Sequence, residues 1–217
     1  MVKVKICANK SIDDAQICIE AGADILGILV GQEHNSNDFV DKDTAKDIVD
    51  YVNNKCDVSL VTHLTNANKI IELTKFIGNS IIQLHSEIAE EEVYKIKNEL
   101  PNIKLVRVIH ISKTGEIITK INNFKYADYY LLDSFNLETN QVGGTGITHD
   151  WKVSAEIIKK LNKPTFLAGG INPTNVKEAI NITNPYGVDV NSGCKNELGN
   201  KDKIKVKEFI NNANVNF

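Results

Sequence analysis

The feature that most constrains this chain is an alternation repeated eight times. Short runs of aliphatic and β-branched residues fall at 2–7, 24–30, 57–63, 80–85, 103–109, 127–133, 165–168 and 187–190. Several are apolar at nearly every position, as strands covered on both faces must be. Between them lie stretches of helical period. Ile12, Ala15 and Ile19 follow Ser11, an N-cap candidate with Asp14 three residues on, in the manner of a capping box. Ala45, Ile48, Val49 and Val52 form a second stripe, Ile70, Leu73 and Ile77 a third, and Ala89, Val93, Ile96 and Leu100 a fourth. Ala155 and Ile158 follow Trp151; Val176, Ala179 and Ile180 come next, and Val206, Phe209 and Ile210 close the series. Asn172-Pro173 reads as an N-cap with proline at the first helical position.

Strands alternating with helices call for right-handed βαβ units and a parallel sheet. An open, doubly wound sheet would favour a glycine-rich turn after the first strand, where this chain has Ala8-Asn9-Lys10. Eight units instead suit a closed (β/α)8 TIM barrel, although about 250 residues is the usual size. The expectation is therefore an α/β protein, with one (β/α)8 barrel domain over residues 1–217 and an eighth helix to match each strand. No Pro-, Gly- or Ser-rich boundary divides it.

Charge and composition exclude several classes of function. The net charge is −3, and the lysines are interleaved with acids, so nucleic acid is not an expected partner. No apolar run approaches the roughly 18 residues of a membrane span, so no membrane partner is expected. Residues 1–10 alternate apolar and basic side chains without the apolar stretch of a signal peptide. Cys7, Cys18, Cys56 and Cys194 show no CxxC spacing, which suits reduced thiols in a cytoplasmic protein. A monomer is the default expectation, with a dimer possible.

In a barrel of this kind the chemistry collects where strands end. The strand exits carry Cys7, Gly31, His63, His85, His110, Asp133, Gly169-Gly170 and Asn191-Ser192-Gly193. The longest gaps, 31–41 and 134–150, are of the length used for binding loops. Two small, glycine-containing turns on neighbouring strands, each read as leading into a helix N-terminus, offer backbone N–H groups to a phosphate. A thiol at Cys7 becomes a usable base with a modest downward pKa shift, and a carboxyl at Asp133 becomes an acid if its pKa is raised. Both residues also have plain structural readings, Cys7 as a small buried hydrophobe and Asp133 as the shaper of a turn. No strand carries a His-x-His pair, so no metal site is expected from the histidines.

With those residues in place, the chain resembles the phosphoribosylanthranilate isomerase family of tryptophan biosynthesis over essentially its full length. The resemblance rests on Val4-Lys5-Ile6-Cys7, Gly22-Ala23-Asp24 with Gly27, Gln83-Leu84-His85, and Leu131-Leu132-Asp133-Ser134. It continues through residues 143–151 (Gly143-Gly144 to Trp151), 168–176 (Ala168-Gly169-Gly170 to Val176) and 187–193 (Gly187-Val188-Asp189 to Ser192-Gly193). It implies an Amadori rearrangement of a 5-phosphoribosyl amine, with Asp133 as general acid and Cys7 as general base. It further implies phosphate binding by Gly169, Gly170, Ser192 and Gly193, and substrate contacts from Gln83, His85, Gly143, Gly144 and Asp189. No cofactor and no metal are implied, because the opened sugar supplies its own electron sink; the partner is a phosphorylated sugar.

The departures from the family pattern sit mostly at one end of the substrate. The glycine usual after the cysteine is Ala8, and the glycine usual after Gln-Leu-His is Ser86. The loop after the second strand, where the family usually offers an arginine to the anthranilate carboxylate, has none in 31–38. Lys10, His34 and Arg107 are the candidate replacements. Two other readings therefore accompany the expected isomerase: the same chemistry on a different phosphoribosyl amine, and a non-catalytic sugar-phosphate-binding relative.

Overall fold

Strand periodicity explains how the chain closes on itself. The structure is a computed structural model and describes residues 1–31, 36–119, 125–136, 141–142 and 150–214. β1 (Lys3–Ile6), β2 (Ile25–Leu29), β3 (Asp57–Thr62), β4 (Ile81–Leu84), β5 (Lys104–Ser112) and β6 (Tyr129–Asn136) pair in parallel, each with the next. β7 (Gln141–Val142) lies antiparallel on β6, while β8 (Thr165–Leu167) continues the ring from β6 to β9 (Gly187–Val190). β9 then pairs with β1, with Lys5 opposite Asp189, which makes an eight-stranded closed parallel barrel.

Alternate residues of each strand face opposite ways. Val4, Ile6, Leu26, Ile28, Val58 and Leu60 point outward and form the main core against the helices. Ile25, Ile81, Val106, Val108, Leu131, Phe166 and Ala168 fill the barrel interior. Lys5 and Cys7, Gln83 and His85, and Leu131 and Asp133 are therefore successive inward positions, rising toward the C-terminal mouth.

The helices are α1 (Ile12–Ala21), α2 (Lys42–Val52), α3 (Ala67–Ile77), α4 (Glu90–Glu99), α5 (Trp151–Lys160), α6 (Val176–Thr183) and α7 (Lys203–Ala213). All seven sequence stripes lie in or beside them. The expected eighth helix, between β5 and β6, is not found among the described residues. Instead β5 runs on to Ser112, Gly115 N–H donates back to the Ser112 carbonyl, and Ile111 bridges antiparallel to Ile117. The β-branched Ile117, Ile118 and Thr119 suit such a return better than a helix.

Two cap assignments need correction. Ser11 does cap α1, accepting from Asp14 N–H at 3.1 Å, but the Asp14 carboxylate reaches Lys10 N–H (3.0 Å) and Lys201 N–H (2.8 Å). It therefore ties the start of α1 to the turn before α7 rather than completing a capping box. Asn172-Pro173 opens a turn, not a helix: Asn172 accepts from Thr174, and α6 begins only after Asn175.

Candidate active site

β1 and β9 bring a buried charge pair into the barrel beneath its mouth. Lys5 and Asp189, opposite one another in the ladder, meet at 2.6 Å and are only 2% and 6% exposed. Two residues further on, just past the end of β1, the Cys7 side chain lies on the same face. Gly27 of β2 leaves room for both groups. A Cβ there would stand 2.8 Å from Cys7 Sγ and 3.2 Å from Lys5 Nζ. Burial pulls the ammonium's pKa down, but Asp189 and Cys7 outweigh it and hold Lys5 above the usual lysine value. Burial pushes the Cys7 thiol up, with Lys5 working in the opposite direction. Asp189 Oδ1 accepts no hydrogen bond from the described residues, so this carboxylate presents an unused acceptor inside the barrel.

Asp133 stands at the mouth on β6. One oxygen accepts from Ser134 N–H at 2.8 Å, and the other lies 3.9 Å from His85 Nε2. Burial, then the nearby Asp189 carboxylate, push its pKa up to about 7. A carboxyl with that value is protonated often enough to donate a proton near neutrality. Cys7 and Asp133 are 8% and 7% exposed, so each keeps a small opening at the mouth, and the Lys5–Asp189 pair acts on both.

The turns after β8 and β9 lie against each other. Gly169 and Gly170 both take left-handed φ, +83° and +66°. A Cβ on Gly169 would meet Ser134 N at 2.8 Å, so the turn passes directly over the end of β6. Asn175 fastens it, donating to the Gly170 carbonyl at 3.1 Å and accepting from Asn172 N–H at 2.8 Å. Gly193 approaches so closely that a Cβ would collide with the Ile171 carbonyl oxygen and sit 2.9 Å from Asn172 Cα. Neither turn enters a long helix directly, contrary to the sequence reading: α6 starts six residues after Gly170, and β9 leads into a 3-10 turn at Ser192–Cys194. A short extra helix after the last strand is itself a recurrent phosphate-site element in barrels.

The opposite half of the mouth carries rings. Phe39, His63, His85 and His110 follow one another at centroid distances of 5.5, 4.8 and 5.4 Å. Gln83 Nε2 is 3.1 Å from His85 Nδ1, and Ser86 Oγ is 3.3 Å from His63 Nδ1, so both rings are oriented by polar neighbours. Burial, then His63, push His110 down to about 4, which keeps that imidazole neutral. No cluster of three or more potential metal ligands occurs among the described residues.

The proposed replacements for the arginine fare unevenly. Arg107 is the chain's only arginine, and it points out of the barrel, donating to Glu90 at 2.7 Å and to the Ile88 carbonyl. It is therefore removed as a candidate. Lys10 Nζ lies 3.6 Å from where a Gly199 Cβ would be, beside the turn before α7. His34, Gly143 and Gly144 lie outside the described residues. The loop after β2 is instead tied across the mouth by Asp38, which accepts from Asn191 at 2.8 Å and pairs with Lys195.

Ala8, where the family usually has glycine, takes φ +59° and is fully buried against Leu29 and Val61. The left-handed backbone costs an alanine roughly 1–2 kcal/mol, so the turn is kept and not rebuilt. Sequence reasoning gave Lys5 only as part of a motif and missed Lys201 altogether. The buried Lys201 ammonium donates to the Cys7 carbonyl, and burial lowers its pKa. The available signal was a lysine two residues before the cysteine, on the inward face of the first strand.

Fold and geometry define a class: a closed parallel β/α barrel that brings a carboxyl group and a thiol to the C-terminal ends of its strands. Comparison with known proteins narrows this. The sequence model of one family, described as N-(5'phosphoribosyl)anthranilate (PRA) isomerase, matches residues 4–212. N-(5'-phosphoribosyl)anthranilate isomerase 2 of Methanosarcina mazei is 38% identical over 216 residues, covering 100% of this chain and 96% of that protein. The crystal structure of phosphoribosyl anthranilate isomerase from Thermotoga maritima superposes with a TM-score of 0.83 at 28% identity, covering 98% of each chain. A phosphoribosyl anthranilate isomerase solved in complex with reduced 1-(o-carboxyphenylamino)-1-deoxyribulose 5-phosphate superposes at 0.76, with 26% identity and 98% of each chain covered. The chain belongs to the N-(5'-phosphoribosyl)anthranilate isomerase family.

Proposed function

We propose that the chain converts N-(5'-phosphoribosyl)anthranilate into 1-(2-carboxyphenylamino)-1-deoxyribulose 5-phosphate by acid–base catalysis. The observation that carries this reading is the Asp133 carboxyl held at about 7 at the same barrel mouth as the Cys7 thiol. Asp133 gives its proton to the furanose ring oxygen, the C1–O bond breaks, and the nitrogen lone pair forms a C1=N iminium. The Cys7 thiolate then takes the proton from C2, and the C–H electrons form a C1=C2 enolamine while the iminium electrons return to nitrogen. Ketonisation adds a proton at C1 and removes one from the C2 hydroxyl, so the net result is an isomerisation. The iminium is the electron sink, and the scheme needs no cofactor and no metal.

The neighbouring turns at Gly169, Gly170, Ser192 and Gly193 hold the phosphate through backbone N–H groups. Asp189 Oδ1 accepts from a sugar hydroxyl, and Gln83 and His85 line the far side of the ribose; Gly143 and Gly144 belong to the same site in this reading. The ligand is a dissolved small molecule, and no described helix is long and apolar enough to cross a membrane. The working unit is a monomer in this reading; a dimer in sedimentation, as the Thermotoga maritima protein's description suggests for that relative, would correct it.

The test is turnover of freshly prepared phosphoribosylanthranilate by wild type, Cys7→Ala and Asp133→Asn. Activity in wild type, abolished in both variants, supports the assignment. An inactive wild type that still binds ribose 5-phosphate overturns it in favour of a sugar-phosphate binder. Turnover of another phosphoribosyl amine alone moves the same chemistry to a different aglycone.

A further inference from the structure

A thiol buried in a barrel is a poor base unless something stabilises its anion, because burial disfavours the charged form. We propose that Lys5 is a positioning residue for this reaction: its ammonium, anchored by Asp189, is the counter-ion that stabilises the Cys7 thiolate, the form that accepts the C2 proton. The inference rests on Cys7 being the base, as argued above, and adds the residue that makes it one.

The geometry points to this arrangement. Lys5 on β1 and Cys7 at its exit are successive inward residues, and Gly27 on β2 contributes no side chain between them. A single atom placed on Gly27 would touch both Sγ and Nζ, so the two groups flank one small space. Asp189, paired with Lys5 at 2.6 Å, prevents the ammonium from turning away, and its second oxygen is left for ligand. The charged groups acting on the sulfur are Lys5 from its own strand, Asp189 from β9 and Lys201 from the turn before α7. Lys201 is committed to the Cys7 carbonyl oxygen, on the backbone side. Lys5 is the larger of the two favourable influences, and Asp189 opposes it.

A proton-transfer cycle follows from this placement. When the sulfur is a thiolate, the Lys5 ammonium has two anionic neighbours. When the sulfur takes the C2 proton, the ammonium remains neutralised by Asp189 and no buried charge is left alone. The pair thus compensates the sulfur in both protonation states.

The two ends of the ion pair make opposite predictions. Iodoacetamide alkylation of Cys7, followed against pH by peptide mass spectrometry, reads thiolate formation without any need for turnover. Lys5→Met should raise the alkylation midpoint and slow modification at pH 8 by ~10-fold or more, one pKa unit being a factor of ten. Lys5→Arg should stay within ~3-fold of wild type. Asp189→Asn should shift the midpoint down, because the ammonium is then left to the sulfur alone. This near-isosteric variant covers the case in which Lys5→Met fails to fold. An unchanged midpoint in Lys5→Met, or an unchanged or raised midpoint in Asp189→Asn, overturns the proposal. An inactive wild type with the opposite shifts intact would refute the isomerase reading alone.

Discussion

The two halves of the barrel mouth differ in how tightly chemistry constrains them. One half, from β1, β6, β8 and β9, carries Cys7, Asp133, the Lys5–Asp189 pair and the two glycine turns. The other, from β3, β4 and β5 with Phe39, is a row of rings from which the chain's only arginine is turned away. In the proposed function the first half handles a ribose phosphate, where proton positions and phosphate geometry leave few options. The second would face the amine's substituent, where a flat ring and a carboxylate can be met by several side-chain sets. Ala8 apart, the departures from the family pattern lie where a group need only be recognised and not where atoms must move.

The largest effects should therefore fall in the first half. Cys7→Ala and Asp133→Asn should each lower kcat by at least ~10²–10⁴-fold, the usual contribution of a positioned acid or base. Steady-state kinetics on both, beside His85→Ala, tests the comparison directly. A loss in His85→Ala as large as in Asp133→Asn would erase the distinction between the halves.

Asp133 also makes a pH-dependent prediction about stability. Its pKa is about 7 in the fold, above the ordinary carboxyl value of 3.8, with burial the main cause and Asp189 second. A carboxyl raised in the folded state binds its proton more tightly there than in the unfolded chain. The fold therefore bears no penalty from it below about pH 4, loses stability as pH rises from there to about 7, and has reached the full loss above that. The penalty is on the order of 2–4 kcal/mol at pH 8. Asp133→Asn should accordingly melt several degrees above wild type at pH 8, and the gain should shrink toward pH 4. A melting difference of equal size at both pH values would show that the carboxyl is not held protonated.

Gly193→Ala should come next. Its Cβ would collide with the Ile171 carbonyl oxygen, and backbone on both sides must shift. Such overpacking typically costs ~1–3 kcal/mol. In this position the displacement should appear as a ~10- to 100-fold rise in KM and weaker inhibition by inorganic phosphate, with a smaller change in kcat. A drop confined to kcat would place the β8 and β9 turns with the reacting centre and not with the phosphate.

The fold was largely legible because it depends on period and order. All eight strand runs lie in the observed strands, with ends displaced by a few residues, and 187–190 coincides with β9. The eighth helix was inferred from symmetry and had no apolar stripe behind it. Cys7 and Asp133 were legible as strand-end residues, since a strand exit can be read locally. Lys5 was not, because a lysine between Val4 and Ile6 reads as a solvated position. Its burial depends on Asp189, 184 residues further on. The helix start at Asn172, and the helix expected directly after the last strand, were misjudged for a similar reason: Asn175, held against Gly170, delays α6, and the abutting Gly193 turn, a single 3-10 turn, is set by contact with Ile171 rather than by local propensity.

The smallest effect belongs to the ring-lined half, and it decides what replaced the arginine. With Arg107 paired to Glu90, any carboxylate on the substrate's ring must be met by lysine, imidazole or backbone donors. His63, oriented through Ser86 and packed at a tilt between Phe39 and His85, is the best-placed imidazole at the mouth. A hydrogen bond to a partly solvated carboxylate contributes about 1.5 kcal/mol, or ~10-fold. His63→Leu should therefore lower kcat/KM for phosphoribosylanthranilate by ~10-fold and leave phosphoribosylaniline, which lacks the carboxylate, nearly unchanged. An equal loss on both compounds would make His63 a packing residue and shift recognition of the carboxylate to another donor. A loss near ~1,000-fold on the anthranilate compound alone would bring this half of the mouth close to the other in the strength of its demands.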